Sequence, residues 1–123
     1  KIKFVFNNNF KDGISSSIKQ GLNQISQKTK YFFICLGDMP MVNHKIYNQL
    51  IKLKNKNEII VPTYEGQQGN PVLFSITMKE KIKSISGDFG AKNILELNNE
   101  KVYQVPIHND GIIKDFDTTK DFK

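Results

Sequence analysis

Apolar residues along this chain switch between short continuous runs and helical three-to-four spacing, and the switching predicts its elements. Lys1–Phe6 reads as a strand, followed by a polar loop, Asn7–Gly13. Ile14, Ile18, Leu22 and Ile25 recur on one helical face, predicting a helix from about Gly13 to Ser26. Tyr31–Leu36 is a continuous apolar run, the pattern of a strand buried on both faces. Asn43 can cap a second helix with Ile46, Tyr47, Leu50, Ile51 and Leu53 inward. Its Lys45, Lys52, Lys54 and Lys56 form a solvated face. Glu58–Pro62 reads as a strand, Thr63–Gly69 as a loop, Pro71–Ile76 as a strand and Thr77–Ser84 as a short helix. Gly87–Leu97 opens on two glycines and continues as a helix with Phe89, Ala91, Ile94 and Leu95 inward. Lys101–Ile107 is a strand, Asp110-Gly111 a turn, Ile112–Asp117 an extended segment and Thr118–Phe122 a terminal turn. Strands alternating with helices predict a layered α/β fold with a largely parallel sheet. With no repeat, linker or composition break, residues 1–123 form one domain.

Composition narrows the function. No apolar stretch approaches the ~18 residues of a membrane span, and Lys1 leads straight into a strand without a signal peptide. A cytoplasmic protein without a membrane partner is expected. Beginning on a core strand, the chain reads as a fragment that starts inside a fold. The net charge of +6 comes from 18 Lys and no Arg. Arg is the bidentate reader of bases and phosphates, so no nucleic-acid partner is expected, although the charge can draw in an anionic substrate. Cys35, mid-strand, reads as a small buried hydrophobe. His44 and His108 are too few and too far apart for a zinc site.

Five short constellations could carry chemistry. In Gly37-Asp38-Met39-Pro40 a carboxylate follows a strand and precedes a chain breaker. Asp38 can hold Mg²⁺ against nucleotide phosphates, since open α/β sheets bind ligands at this end of their strands; it can equally end a strand by a turn. In an extended Asp115-Phe116-Asp117 both carboxylates point to one side, while Thr118-x-x-Asp121 resembles a helix-capping box. Gly66 and Gly69 permit positive φ or close approach of backbone to a ligand, or simply connect strands. Gly87-Asp88-Phe89-Gly90-Ala91-Lys92 can present free N–H groups and a Lys charge to an anion, or Asp88 can be an ordinary N-cap. Gly13-Ile14-Ser15-Ser16-Ser17 can contact a nucleotide or merely cap a helix.

Taken in order, Gly-x-Ser-Ser-Ser, Leu-Gly-Asp-Met-Pro, Val-Pro-x-Tyr-x-Gly-x-x-Gly-Asn-Pro-Val-Leu-Phe, Gly-Asp-x-Gly-Ala-Lys and Asp-x-Asp-Thr resemble the MobA-like NTP transferases, and among them the molybdenum-cofactor cytidylyltransferases. The resemblance runs from about Lys3 to Phe122. It implies a three-layer α/β/α sandwich with a mostly parallel, mixed, Rossmann-like sheet of the nucleotide-diphospho-sugar transferase type, truncated at its N-terminus. It implies transfer of CMP from CTP to molybdopterin or molybdenum cofactor, with release of pyrophosphate. Mg²⁺ would be the cofactor, with Asp38 and Asp117 as catalytic metal ligands. Gly13, Ser16, Ser17, Gly37 and Pro40 would lie along the nucleotide. Gly69, Asn70, Pro71, Gly87, Asp88 and Lys92 would border the pterin, and an apo molybdenum enzyme is an implied partner.

The chain departs from the family pattern in three places. Asn70 stands where His is usual, and Lys92 where Arg is usual. The Leu-Ala-Ala-Gly-x-Ser-x-Arg-Met-Gly loop that cradles the triphosphate is absent from this sequence. At ~30 residues or more per βαβ unit, that loop would stand about 60 residues upstream of Lys1, so the chain alone is expected to be inactive. The alternatives are a relative using another nucleotide or acceptor, such as guanylyl transfer or maturation of a molybdenum hydroxylase, and a non-catalytic protein that binds and delivers the cofactor. A glycosyltransferase reading of Asp115-x-Asp117 is weaker, because the pair lies far from the central strand.

Overall fold

The computed structural model describes residues 14–35 and 43–113; elements expected at Lys1–Phe6 and Thr118–Phe122 lie outside them. Helix α1 (Ile14–Asn23) precedes β1 (Tyr31–Ile34), and α2 (His44–Lys52) precedes β2 (Ile59–Tyr64). The short β3 (Gln67–Gln68) and β4 (Val72–Ser75) follow, then α3 (Lys79–Lys83), α4 (Ala91–Leu97) and β5 (Val102–Pro106). Asn43 caps α2 as its side chain predicts, accepting from the backbone N–H groups of Lys45 and Ile46.

The main strands lie in the order β1-β4-β2-β5. β4 is antiparallel to both β1 and β2, whereas β2 and β5 are parallel. β1, β2 and β5 therefore all run one way, and β4, inserted between β1 and β2, runs the other. This is the mixed α/β sheet that the sequence predicts. Strand alternation sends side chains to two cores. Ile59, Val61, Val72 and Phe74 pack with Leu22, Ile82, Ile94 and Leu95 from α1, α3 and α4. Ile60 and Leu73 pack on the other face with Ile46 and Leu50 from α2 and with Ile112. Helices on both faces of one sheet make three layers.

Three expectations change. Tyr31–Ile34 is half-buried rather than enclosed on both faces. β1 is an outer strand among the described residues, with β4 as its one strand partner there. Cys35, expected inside, is exposed one residue past the strand. It accepts a hydrogen bond from the Tyr47 hydroxyl at 3.4 Å. Burial, and then this thiol, push the Tyr47 phenol up to about 12. β2 also runs through Pro62 to Tyr64 instead of stopping there. Proline lacks only the N–H, and the Pro62 carbonyl remains in use, accepting from Gly69.

Candidate active site at the carboxyl edge of the sheet

β1, β2 and β5 all end at one edge, and β4 begins there. Ile34, the last residue of β1, pairs with Val72, the first of β4. Gly69-Asn70-Pro71 therefore lies beside the point where the chain leaves β1. Two hydrogen bonds fix this segment: Gly69 N–H donates to the Pro62 carbonyl and Asn70 N–H to the Ile112 carbonyl, both at 2.8 Å. Gly69 is required here because a Cβ would collide with the Ile112 carbonyl. The close approach expected of this glycine is thus made to the chain's own backbone. Asn70 leads into a cis peptide with Pro71. Its Oδ1 is buried without a hydrogen-bond partner among the described residues. A buried acceptor left unpaired costs about 1–3 kcal/mol.

The start of α1 reaches the same edge. Ser15, buried, donates its N–H to Asp88 Oδ1 at 3.3 Å and its hydroxyl to the Gly87 carbonyl at 3.2 Å. Asp88 therefore caps α1 across the fold rather than its own helix. The helix expected from Gly87 begins at Ala91 instead, because Gly87 takes φ +76° in a turn. The Gly90 N–H is engaged by Asn93 Oδ1. Lys92 stands exposed on α4.

Ser16 and Ser17 face different spaces. Ser16, Lys19, Gly87 and Asp88 line a polar cavity of about 460 Å³. Ser17 lines an apolar groove of about 360 Å³ with Ile18, Phe32 and Cys35. A third cavity, of about 520 Å³, lies between the Glu65-Gly66 turn and His108. The sequence offers Ser15 among three consecutive serines without showing which one turns inward, and Glu65 carries no site signal there. Gly13, Gly37, Asp38, Pro40 and Asp117 lie outside the described residues. Among the described residues, no group of three or more His, Cys, Asp or Glu could hold a metal.

The model of the MobA-like NTP transferase domain matches residues 1–104. The chain belongs to the MobA-like NTP transferase family. A molybdenum cofactor cytidylyltransferase of Escherichia coli is 27% identical to this MobA-like chain over 121 residues, covering 98% of the chain and 60% of the relative. A probable molybdenum cofactor guanylyltransferase of Methanosarcina acetivorans is 28% identical over 94 residues, covering 76% and 41%. The fold is shared with Rv0371c of Mycobacterium tuberculosis at TM-score 0.77 and 23% identity, over 88% of this chain and 56% of that one. Rv0371c has also been solved in complex with manganese. The MobA-like chain thus spans 41–60% of the length of these proteins.

Proposed function

We propose that this domain belongs to a nucleotidyltransferase that moves CMP from CTP to the terminal phosphate of molybdopterin or its molybdenum form, releasing pyrophosphate. One observation carries the reading: the end of β1, Gly69-Asn70-Pro71 and Ile112 meet at one sheet edge around an Asn70 oxygen that has no partner among the described residues. Asp38 follows Ile34 by four residues and Asp117 follows Ile112 by five.

A hard cation takes oxygen donors, and Mg²⁺ takes one or two carboxylates with phosphate oxygens. By the family resemblance, Asp38 and Asp117 would supply such carboxylates and hold the ion, and Asn70 Oδ1 would be a further oxygen donor. Bound there, Mg²⁺ would offset charge on the phosphates. The protein's task is otherwise positioning, since phosphoryl chemistry of this kind needs little covalent help. Gly69 and Asn70 fix the edge against Ile112, and Lys92 adds a cation that attracts the anionic substrates. An acceptor phosphate oxygen attacks the α-phosphorus in line, and its bond to pyrophosphate breaks. No side-chain nucleophile is needed.

The full-length protein with Mg²⁺ and CTP should release pyrophosphate only when molybdopterin is added, and Asp38→Ala should abolish that release. Full activity of Asp38→Ala would overturn the assignment. The guanylyltransferase relative supports a second reading, GMP transfer from GTP, which competition between the two nucleotides separates. Delivery to an apo molybdenum enzyme and a cytoplasmic setting rest on the family resemblance.

A further inference from the structure

The cavity of about 520 Å³ at the β2–β3 turn has no part in nucleotide binding as proposed above, yet it opens on the same edge of the sheet. Its walls are held by the ladder: β2 and β5 pair in register through Thr63 and Pro106, and the Ile107 N–H donates to the Thr63 carbonyl at 2.8 Å. Glu65 forms its tip at φ +50°, the one left-handed non-glycine among the described residues. Gly66 follows at φ +84°. Two-residue hairpin turns with both φ values positive favour Asn or Asp at the first position. Glu there is strained, and strain of this kind gathers at binding sites. The Glu65 carboxylate is exposed and, among the described residues, makes no hydrogen bond or ion pair, and neither does His108 across the cavity. Tyr64 and Pro106 supply flat walls between them.

We propose that this cavity binds the 2-amino-4-oxopyrimidine edge of a fused heterocycle, the Glu65 carboxylate accepting from its N3–H and 2-amino group while His108 donates to its 4-oxygen. Two parallel N–H donors meeting one carboxylate reproduce the bidentate geometry of an Arg–carboxylate pair. Pterin and guanine both present that edge; cytosine does not. The inference rests on the transferase reading, in which the acceptor carries the pterin and the nucleotide base is cytosine, so the occupant is the acceptor's pterin ring.

Pterin fluorescence gives a direct titration of full-length protein with 6-hydroxymethylpterin, with guanosine and cytidine as competitors. Glu65→Gln should weaken pterin binding about tenfold or more, the loss expected for hydrogen bonds to a charged group. Glu65→Asn relieves the turn, so it should melt at or above the wild-type temperature and still lose pterin. That pairing separates ligand recognition from a structural role. Pterin affinity unchanged in both variants overturns the inference, even if CMP transfer to molybdopterin continues. Guanosine binding more tightly than pterin overturns the pterin assignment. Wild-type protein that binds no pterin and transfers no CMP overturns both this inference and the transferase reading.

Discussion

Gly69 illustrates how much of the site hangs on one missing side chain. A Cβ on Gly69 would meet the Ile112 carbonyl and must push the 3-10 turn at Asp110–Ile112 away. Gly69→Ala is therefore expected to cost about 1–3 kcal/mol of stability, the usual range for overpacking. Denaturant unfolding would measure that cost. A variant with unchanged stability would show that Ile112 yields freely. Gly-Gln-Gln-Gly-Asn-Pro announces a tight turn in the sequence, but nothing local says that the approach is to a residue 43 positions later. Glu65 escaped notice for a related reason. Its meaning lies in a backbone angle, and a Glu in a polar loop carries no such mark.

Elements were more legible than their partners. Helical spacing at Ile14, Ile18 and Leu22 predicts α1, and Asn43 predicts the start of α2. What caps α1 was hidden, because Asp88 is 73 residues from Ser15. Removing a capping carboxylate costs about 1 kcal/mol, so Asp88→Ala should lower the melting temperature while Asp88→Asn largely preserves it. An unchanged melting point in Asp88→Ala would show that Ser15 needs no cap from this loop. β1 reads as enclosed because an apolar run looks the same in a half-buried strand and a fully buried one, whereas its side chains are half-buried and Cys35 is exposed.

For the whole molecule, alternating strands and helices gave the layers, whereas the reversed direction of β4 depends on long-range register. The chain arrangement gathers Gly69-Asn70-Pro71, Ser15 and Asp88 at one edge. Away from it, a Lys101–Glu58 ion pair of 2.7 Å ties the start of β2 to the turn before β5. Hydrogen bonds from Lys101 and then Thr77 hold the Glu58 carboxyl below the usual carboxylate range. A depressed carboxyl stabilises the fold above its unfolded value, and that stability is lost as pH falls through the folded value. Acid titration of unfolding should therefore show a shallower loss for Glu58→Gln than for the parent chain; identical acid limbs would remove Glu58 from the account. The central claim is that the carboxyl edge serves transfer of a nucleotide to a pterin phosphate. Its most direct test gives full-length protein Mg²⁺, molybdopterin and equal CTP and GTP, each labelled at the α-phosphate in separate reactions. The account predicts label on the acceptor from CTP, with pyrophosphate released in step; no label on the acceptor from either nucleotide would contradict it.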